Sequence, residues 1–203
     1  MIDMKEVCGC VVKPILVHGK EVAVVDEKMI AEKSYIEIPD TDGVVTNLPN
    51  VVLTTTHADC IPLYAYDPEK KVVGIAHAGW KGTSNGIAQE LISKMVETYD
   101  CNSANIVAYI GPGICKEHFE FGKDYAQECF TLKYSWMQDF IVDKSDDKVT
   151  INLKGINKHF FELAKVGEVQ VSADCTFCDD KYYSFRRAKD TERMLAYITR
   201  RKI

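Results

Sequence analysis

Residues 57–80 constrain this chain more than any other stretch, because they read as one complete supersecondary unit with reactive groups at both open ends. Residues 61–66 are apolar and aromatic, residues 67–71 form a polar turn containing Pro68, and residues 72–76 are apolar again. That is the pattern of strand, turn and strand. Antiparallel pairing brings the residue before the first strand back toward the residue after the second, and so brings Cys60 toward His77. A cysteine and a histidine so placed can ligate a metal or form a nucleophile–base pair. A half-buried thiol beside an unrelated histidine fits these residues equally well.

The 203 residues are enough for one well-filled core. The 46% hydrophobic and 27% charged content is ordinary for a globular chain. A net charge of −5 argues against a general nucleic-acid binder, although a local basic pocket still suits one phosphate. No apolar run approaches the roughly 18–20 residues that cross a bilayer, so no membrane partner is expected. The first residues lack a basic segment followed by an apolar one, so no signal peptide is read and a cytoplasmic location is expected. Eight cysteines in that setting are read as reduced thiols. Cys8-Gly-Cys10 and Cys175-Thr-Phe-Cys178 have the spacing of metal or redox pairs, but neither finds a matching pair at zinc-finger spacing.

Strand patterns are expected at residues 7–17, 22–25, 44–46, 51–56, 106–110, 169–171 and 182–185. Helices are expected at 84–99, 124–134, 152–166 (stopped by Gly167) and 191–198, from apolar residues at three- and four-residue steps. Residues 136–148 read as a surface excursion. No repeat, low-complexity tract or linker divides the chain, so a single domain over residues 1–203 is expected.

Among the five histidines, His159 falls within a predicted helix and reads as structural. His18 and His77 sit at strand ends near glycine, and His57 precedes Cys60 by three residues, as a ligand or as the support of one. One cysteine and two histidines with an open position suit a catalytic zinc. Asp59 reads as a base or as a partner that orients a ligand. Lys81, Gly82, Thr83 and Ser84 precede a helix and form either a phosphate cradle or a plain cap. Arg186 and Arg187, read at a strand end, point to opposite faces; one of them clamps a phosphate or carboxylate or makes an ordinary salt bridge.

Ala58-Asp-Cys-Ile-Pro62, His77-Ala-Gly-Trp80 with Lys81-Gly, Ile110-Gly-Pro-Gly113, Cys175-Thr and Tyr183-Ser-Phe-Arg-Arg187 together resemble the multicopper polyphenol oxidase (laccase-domain) family. The resemblance runs from about His18 to Tyr197, with Arg193 in the place of a further family arginine. It implies an α/β (α+β) fold, a single layered domain with mixed β-sheets flanked by helices. It also implies a zinc-dependent purine nucleoside phosphorylase with adenosine deaminase activity, and metal ligands at His18, Cys60 and His77. Leu16 stands where the family usually has glutamine, Lys81 where it has arginine, and the family's Arg-x-Gly-Gly element is missing before His18. The loop after Gly111-Pro112 also diverges, and through Cys115 or His118 it is expected to add a ligand to the site.

The resulting expectation is zinc held by His18, Cys60 and His77, phosphate met by Lys81 or Arg186, and a purine nucleoside as substrate. Three other readings remain open: a metal-free cysteine hydrolase using Cys60 and His77, a copper-dependent polyphenol oxidase, and an inactive zinc-binding interaction protein. One cysteine and two histidines do not supply the several copper sites of a true laccase.

Overall fold

The computed structural model describes residues 9–189 and 191–201, so Cys8 of the Cys8-Gly-Cys10 pair lies outside the described residues. Its centre is a six-stranded mixed sheet, built in the order β12 (Glu168–Val171), β8 (Val107–Ile110), β6 (Ile61–Asp67), β7 (Val72–Ala78), β4 (Gly43–Thr46) and β2 (Val22–Val24). A four-stranded mixed sheet of β13 (Met194–Thr199), β5 (Val51–His57), β1 (Cys10–Pro14) and β3 (Tyr35–Ile38) packs on one face. The helices α3 (Ile87–Tyr99) and α5 (Leu153–Leu163) cover the other face.

Strand β7 is buried along its whole length because it lies between these layers. Val73 and Ile75 enter the core shared with β1 and β5, while Val72, Ala76 and Ala78 enter the core shared with the helices. The period of two therefore sets His77 on the side of Val73 and Ile75, toward the four-stranded sheet. On the helix side, a Cβ at Gly74 would lie 3.0 Å from the Leu91 side chain, so the glycine lets α3 come close.

The expected hairpin forms: β6 pairs antiparallel with β7 from Asp67↔Val72 at the turn to Ile61↔Ala78 at the open end. Helix α3 buries Ile87, Leu91, Ile92 and Met95 on one face, as the apolar spacing predicts. It starts at Ile87 rather than Ser84, because Gly86 adopts a left-handed backbone (φ 83°) that separates it from the short α2 (Trp80–Ser84). Helix α5 is capped by Asn152, whose side chain accepts the Gly155 N–H at 2.9 Å. It ends at Leu163, and Lys165 (φ 58°) makes the left-handed turn that was expected of Gly167. Gly167 serves a different need: a Cβ there would fall 2.0 Å from the Ala104 carbonyl.

Other expectations change. The helix predicted over 191–198 is instead β13, an edge strand antiparallel to β5, with Ala196 inward and Leu195 and Tyr197 outward. A run this short carries too few turns to separate a period of 3.6 from a period of 2. The strand predicted over 182–185 is a turn leading into α6 (Phe185–Ala188), where the Ser184 hydroxyl accepts the Arg187 N–H at 3.1 Å. The helix of 124–134 is shorter and irregular: α4 (Lys123–Ala126) widens into a π-turn over Gln127–Thr131. Residues 136–148 are no plain excursion. Met137 is fully buried, and β10 (Ile141–Asp143) joins β11 (Lys148–Ile151) and β9 (Glu120–Gly122) in a small antiparallel sheet. One further helical turn, α1 (Glu27–Ile30), begins at an Asp26 cap.

Candidate metal centre and active-site pocket

The open end of the hairpin does what its sequence implies. Pro62 pairs with His77, and Cys60 sits just before β6 on the turn out of β5. His18 reaches the same point from the connection between β1 and β2. The Sγ of Cys60 and one ring nitrogen each of His18 and His77 lie within 4.8 Å of one another. Gly79 is packed beside them: a Cβ there would stand 2.9 Å from His18 Cδ2 and 3.3 Å from Cys60 Sγ. Glycine at this position of His-Ala-Gly-Trp keeps the space between the three donors open.

A residue outside every motif singled out above organises the centre. Asp42, at the turn before β4, is fully buried. Its carboxylate accepts the backbone N–H groups of Val17, His18 and Gly19 at 3.3, 2.9 and 2.7 Å. These bonds hold His18 in a left-handed backbone (φ 60°). The same carboxylate lies 3.2 Å from His77 Nδ1, so this bond places the proton on Nδ1 and leaves Nε2 for a metal. The one trace in the sequence is an acidic residue immediately before the buried strand β4.

The electrostatics follow from these contacts. Burial alone would raise the Cys60 thiol, but hydrogen bonds and charge from His18 and His77 outweigh it and bring the pKa to about 6. Burial lowers His77, yet the bonds to Asp42 and Cys60 raise it to about 9. His57 is held down to about 3 by burial and by the charge of His77. Burial also works against the Asp42 carboxylate, and His77 with the Gly19 and Val17 amides still holds it below the usual range. A thiolate and two imidazoles so gathered fit zinc, a borderline-soft cation that favours sulfur and nitrogen donors.

Around this centre lies a pocket of about 470 Å³, lined by Leu16, Trp80, Ile114, Phe119 and Phe185 as well as by Arg186 and Arg193. Its size and mixed lining are those of a small-molecule site. Residues 4–201 match the family described as multi-copper polyphenol oxidoreductase laccase. The chain belongs to this family. A Deinococcus radiodurans protein named purine nucleoside phosphorylase is 39% identical over 158 residues, which are 77% of this chain and 60% of that protein. Adenosine deaminase RL5, from an unknown prokaryotic organism, is 30% identical over 183 residues, 87% of this chain and 69% of that protein. Among solved structures, hypothetical protein YfiH of Bacillus licheniformis superposes with a TM-score of 0.84 at 29% identity, covering 94% of this chain and 74% of that one. The chain thus spans only about three fifths of the Deinococcus protein's length.

The other residues singled out in this laccase-family chain take varied positions. His57 is buried, with Nε2 at 2.7 Å from Thr55 Oγ1 and Nδ1 at 3.2 Å from the Cys60 carbonyl, so it braces the turn that carries the thiol. Asp59 (φ 83°) lines the pocket, but both its oxygens are engaged, one accepting the Thr176 hydroxyl at 2.7 Å and one the Arg186 N–H at 2.6 Å. Lys81 does not line the pocket; its Nζ stands 5.5 Å from the Trp80 ring. Of the two readings of Lys81–Ser84, the phosphate cradle is closed off, since Gly82, Thr83 and Ser84 are buried and Thr83 accepts a bond from Asn157 at 2.9 Å. Helix packing against α5 has taken up those groups.

Arg186 and Arg187 lie on α6 rather than at a strand end. Arg186 lines the pocket and donates to the carbonyls of His118 and Glu120, with its guanidinium 5.4 Å from the Phe119 ring. Arg187 turns away and donates to the carbonyls of Thr176, Phe177 and Tyr182. His159 is a packing residue, 4.4 Å from the Trp136 ring. Cys115 and His118 do not join His18, Cys60 and His77; they group with Cys175 and Cys178. The partner of Cys175-x-x-Cys178 is not a second cysteine pair but Cys115-x-x-His118. Among the described residues no helix is long and apolar enough to cross a membrane.

Proposed function

We propose that this chain is a zinc-dependent purine nucleoside phosphorylase acting on adenosine- and inosine-type nucleosides, with adenosine deamination as a second reaction of the same pocket. The observation that carries the reading is a thiolate and two imidazoles converging at the base of a pocket whose walls pair aromatic rings with arginines. His18, Cys60 and His77 would hold the metal, which when bound supplies a Lewis acid to an oxygen of phosphate or water.

The rest is done by the chain's own groups. Trp80, Phe119 and Phe185 offer flat apolar surface to a purine. Arg186 and Arg193 bring positive charge to the phosphate and to the charge that builds up in the transition state. In phosphorolysis a phosphate oxygen bonds to C1′ of the ribose as the bond from C1′ to the purine nitrogen breaks, and the base leaves with a proton. In deamination water adds at C6 and ammonia departs. Asp42 keeps His77 in one tautomer throughout, and Asp59 holds Arg186 in place through its backbone N–H. Lys81 is exposed and outside the lining, with its charge beside the Trp80 ring.

A second reading has one observation in its favour. A Cys60 thiol near 6 beside a His77 near 9 is also an ion pair suited to nucleophilic attack without metal. One assay separates the two. Zinc-loaded protein incubated with adenosine or inosine and phosphate is expected to release free base, and to lose that activity on chelation and in Cys60→Ala. Activity that survives chelation but not Cys60→Ala would favour the hydrolase, and no base release with either substrate would refute the phosphorylase.

A further inference from the structure

The parallel pairing of β8 with β12, ending at Ile110↔Val171, sends two chain segments off the same end of the central sheet side by side. One carries Cys115-x-x-His118 and the other Cys175-x-x-Cys178. Cys115 Sγ lies 3.0 Å from His118 Nδ1 and 4.0 Å from Cys178 Sγ, and Cys178 Sγ lies 3.4 Å from the same nitrogen. All four donor atoms fall within 4.8 Å of one another. A tetrahedral zinc with bonds to sulfur of about 2.3 Å has sulfur–sulfur edges of about 3.8 Å. We propose that Cys115, His118, Cys175 and Cys178 bind a second metal ion, a structural zinc, separate from the centre at His18, Cys60 and His77. This inference does not rest on the nucleoside reading.

The surroundings are those of a metal–thiolate site. The Cys115 backbone N–H donates to Cys175 Sγ at 3.2 Å, the kind of bond that stabilises a thiolate ligand. The Phe177 ring stacks on the His118 imidazole, with centroids 4.1 Å apart, and fixes the plane of that ligand. The buried ammonium of Lys154 donates to the Ser172 and Asp174 carbonyls at 3.0 and 2.6 Å, placing a positive charge beside the segment that enters Cys175. Four protein donors leave no open position, which marks the site as structural rather than catalytic.

Its consequence reaches the pocket. The clamped loop carries Phe119, which lines the pocket, and its His118 carbonyl accepts from Arg186. The other segment carries Thr176, which donates to Asp59. A metal joining the two segments therefore fixes the wall that positions Arg186.

Metal counting tests the proposal without any assay of turnover. Wild-type protein isolated without chelator is expected to hold two zinc ions per chain, one for each donor group. Cys60→Ala should hold one, the double variant Cys175→Ser/Cys178→Ser should hold one, and the three changes combined none. A zinc content unaltered by Cys175→Ser/Cys178→Ser would overturn the proposal. So would a disulfide among Cys115, Cys175 and Cys178 in protein isolated under thiol-blocking conditions. If the double variant fails to fold, cobalt(II) loaded into Cys60→Ala decides: intense tetrahedral thiolate absorption is expected, and a weak octahedral spectrum refutes the site. Zinc content and base release are separate readouts, so failure of one reading leaves the other standing.

Discussion

Three backbone amides and one imidazole converge on the Asp42 carboxylate, so its removal acts at several places at once. Asp42→Ala removes the charged acceptor of three part-buried N–H groups and of His77, and a hydrogen bond to a charged group is worth about 1.5–3 kcal/mol. The expected loss of stability in the metal-free protein is on the order of 3 kcal/mol, measured by denaturant unfolding. Zinc affinity should fall by roughly 10- to 100-fold, the usual effect of losing the partner of a ligating histidine, measured by competition with a chelating dye. Zinc affinity equal to that of wild type would sink the assignment of Asp42 as the support of His18 and His77. Cys60 and His77 were legible in sequence because one turn brings them together. Asp42 was not, because three of its bonds come from backbone groups, which every residue has, and the fourth joins it to His77, 35 positions away.

At the scale of elements, legibility depended on length and on layering. The hairpin and helices α3 and α5 repeat their pattern over enough residues for the period to show. Strand β13 repeats it too briefly, and α2, five residues long, falls where a cradle or cap was read ahead of α3. The two metal-type loops show the same limit from another side: β8 and β12 are far apart in sequence, and only their pairing places Cys115 beside Cys178. The junction of α2, α3 and α5 gives the prediction that belongs here. Phe160 is fully buried, lies 3.4 Å from the Cβ position of Gly86, and meets the Trp136 ring at 5.0 Å. Phe160→Ala should cost about 3–5 kcal/mol, read as a lower denaturation midpoint with an unchanged slope. A loss below about 1 kcal/mol would mean that this junction collapses to fill the gap.

For the whole molecule, the mixed sheets and flanking helices were implied by family resemblance, and the layer order by neither composition nor spacing. The hairpin also has a consequence in time. Its turn closes over a few residues, an event of roughly 1–10 μs, whereas His18 must wait for the parallel pairing of β2 with β4, a slower contact of greater sequence separation. A folding chain thus offers zinc a two-armed clasp of Cys60 and His77 before the third arm closes. Zinc should therefore speed the refolding of wild type and of His18→Ala alike, and the gain should shrink in Cys60→Ala, as followed by tryptophan fluorescence after rapid dilution. Equal gains in wild type and Cys60→Ala would show that the clasp forms late. A gain that does shrink in Cys60→Ala would mean that the ion proposed for the finished pocket also acts earlier, as a template for the strand order around it.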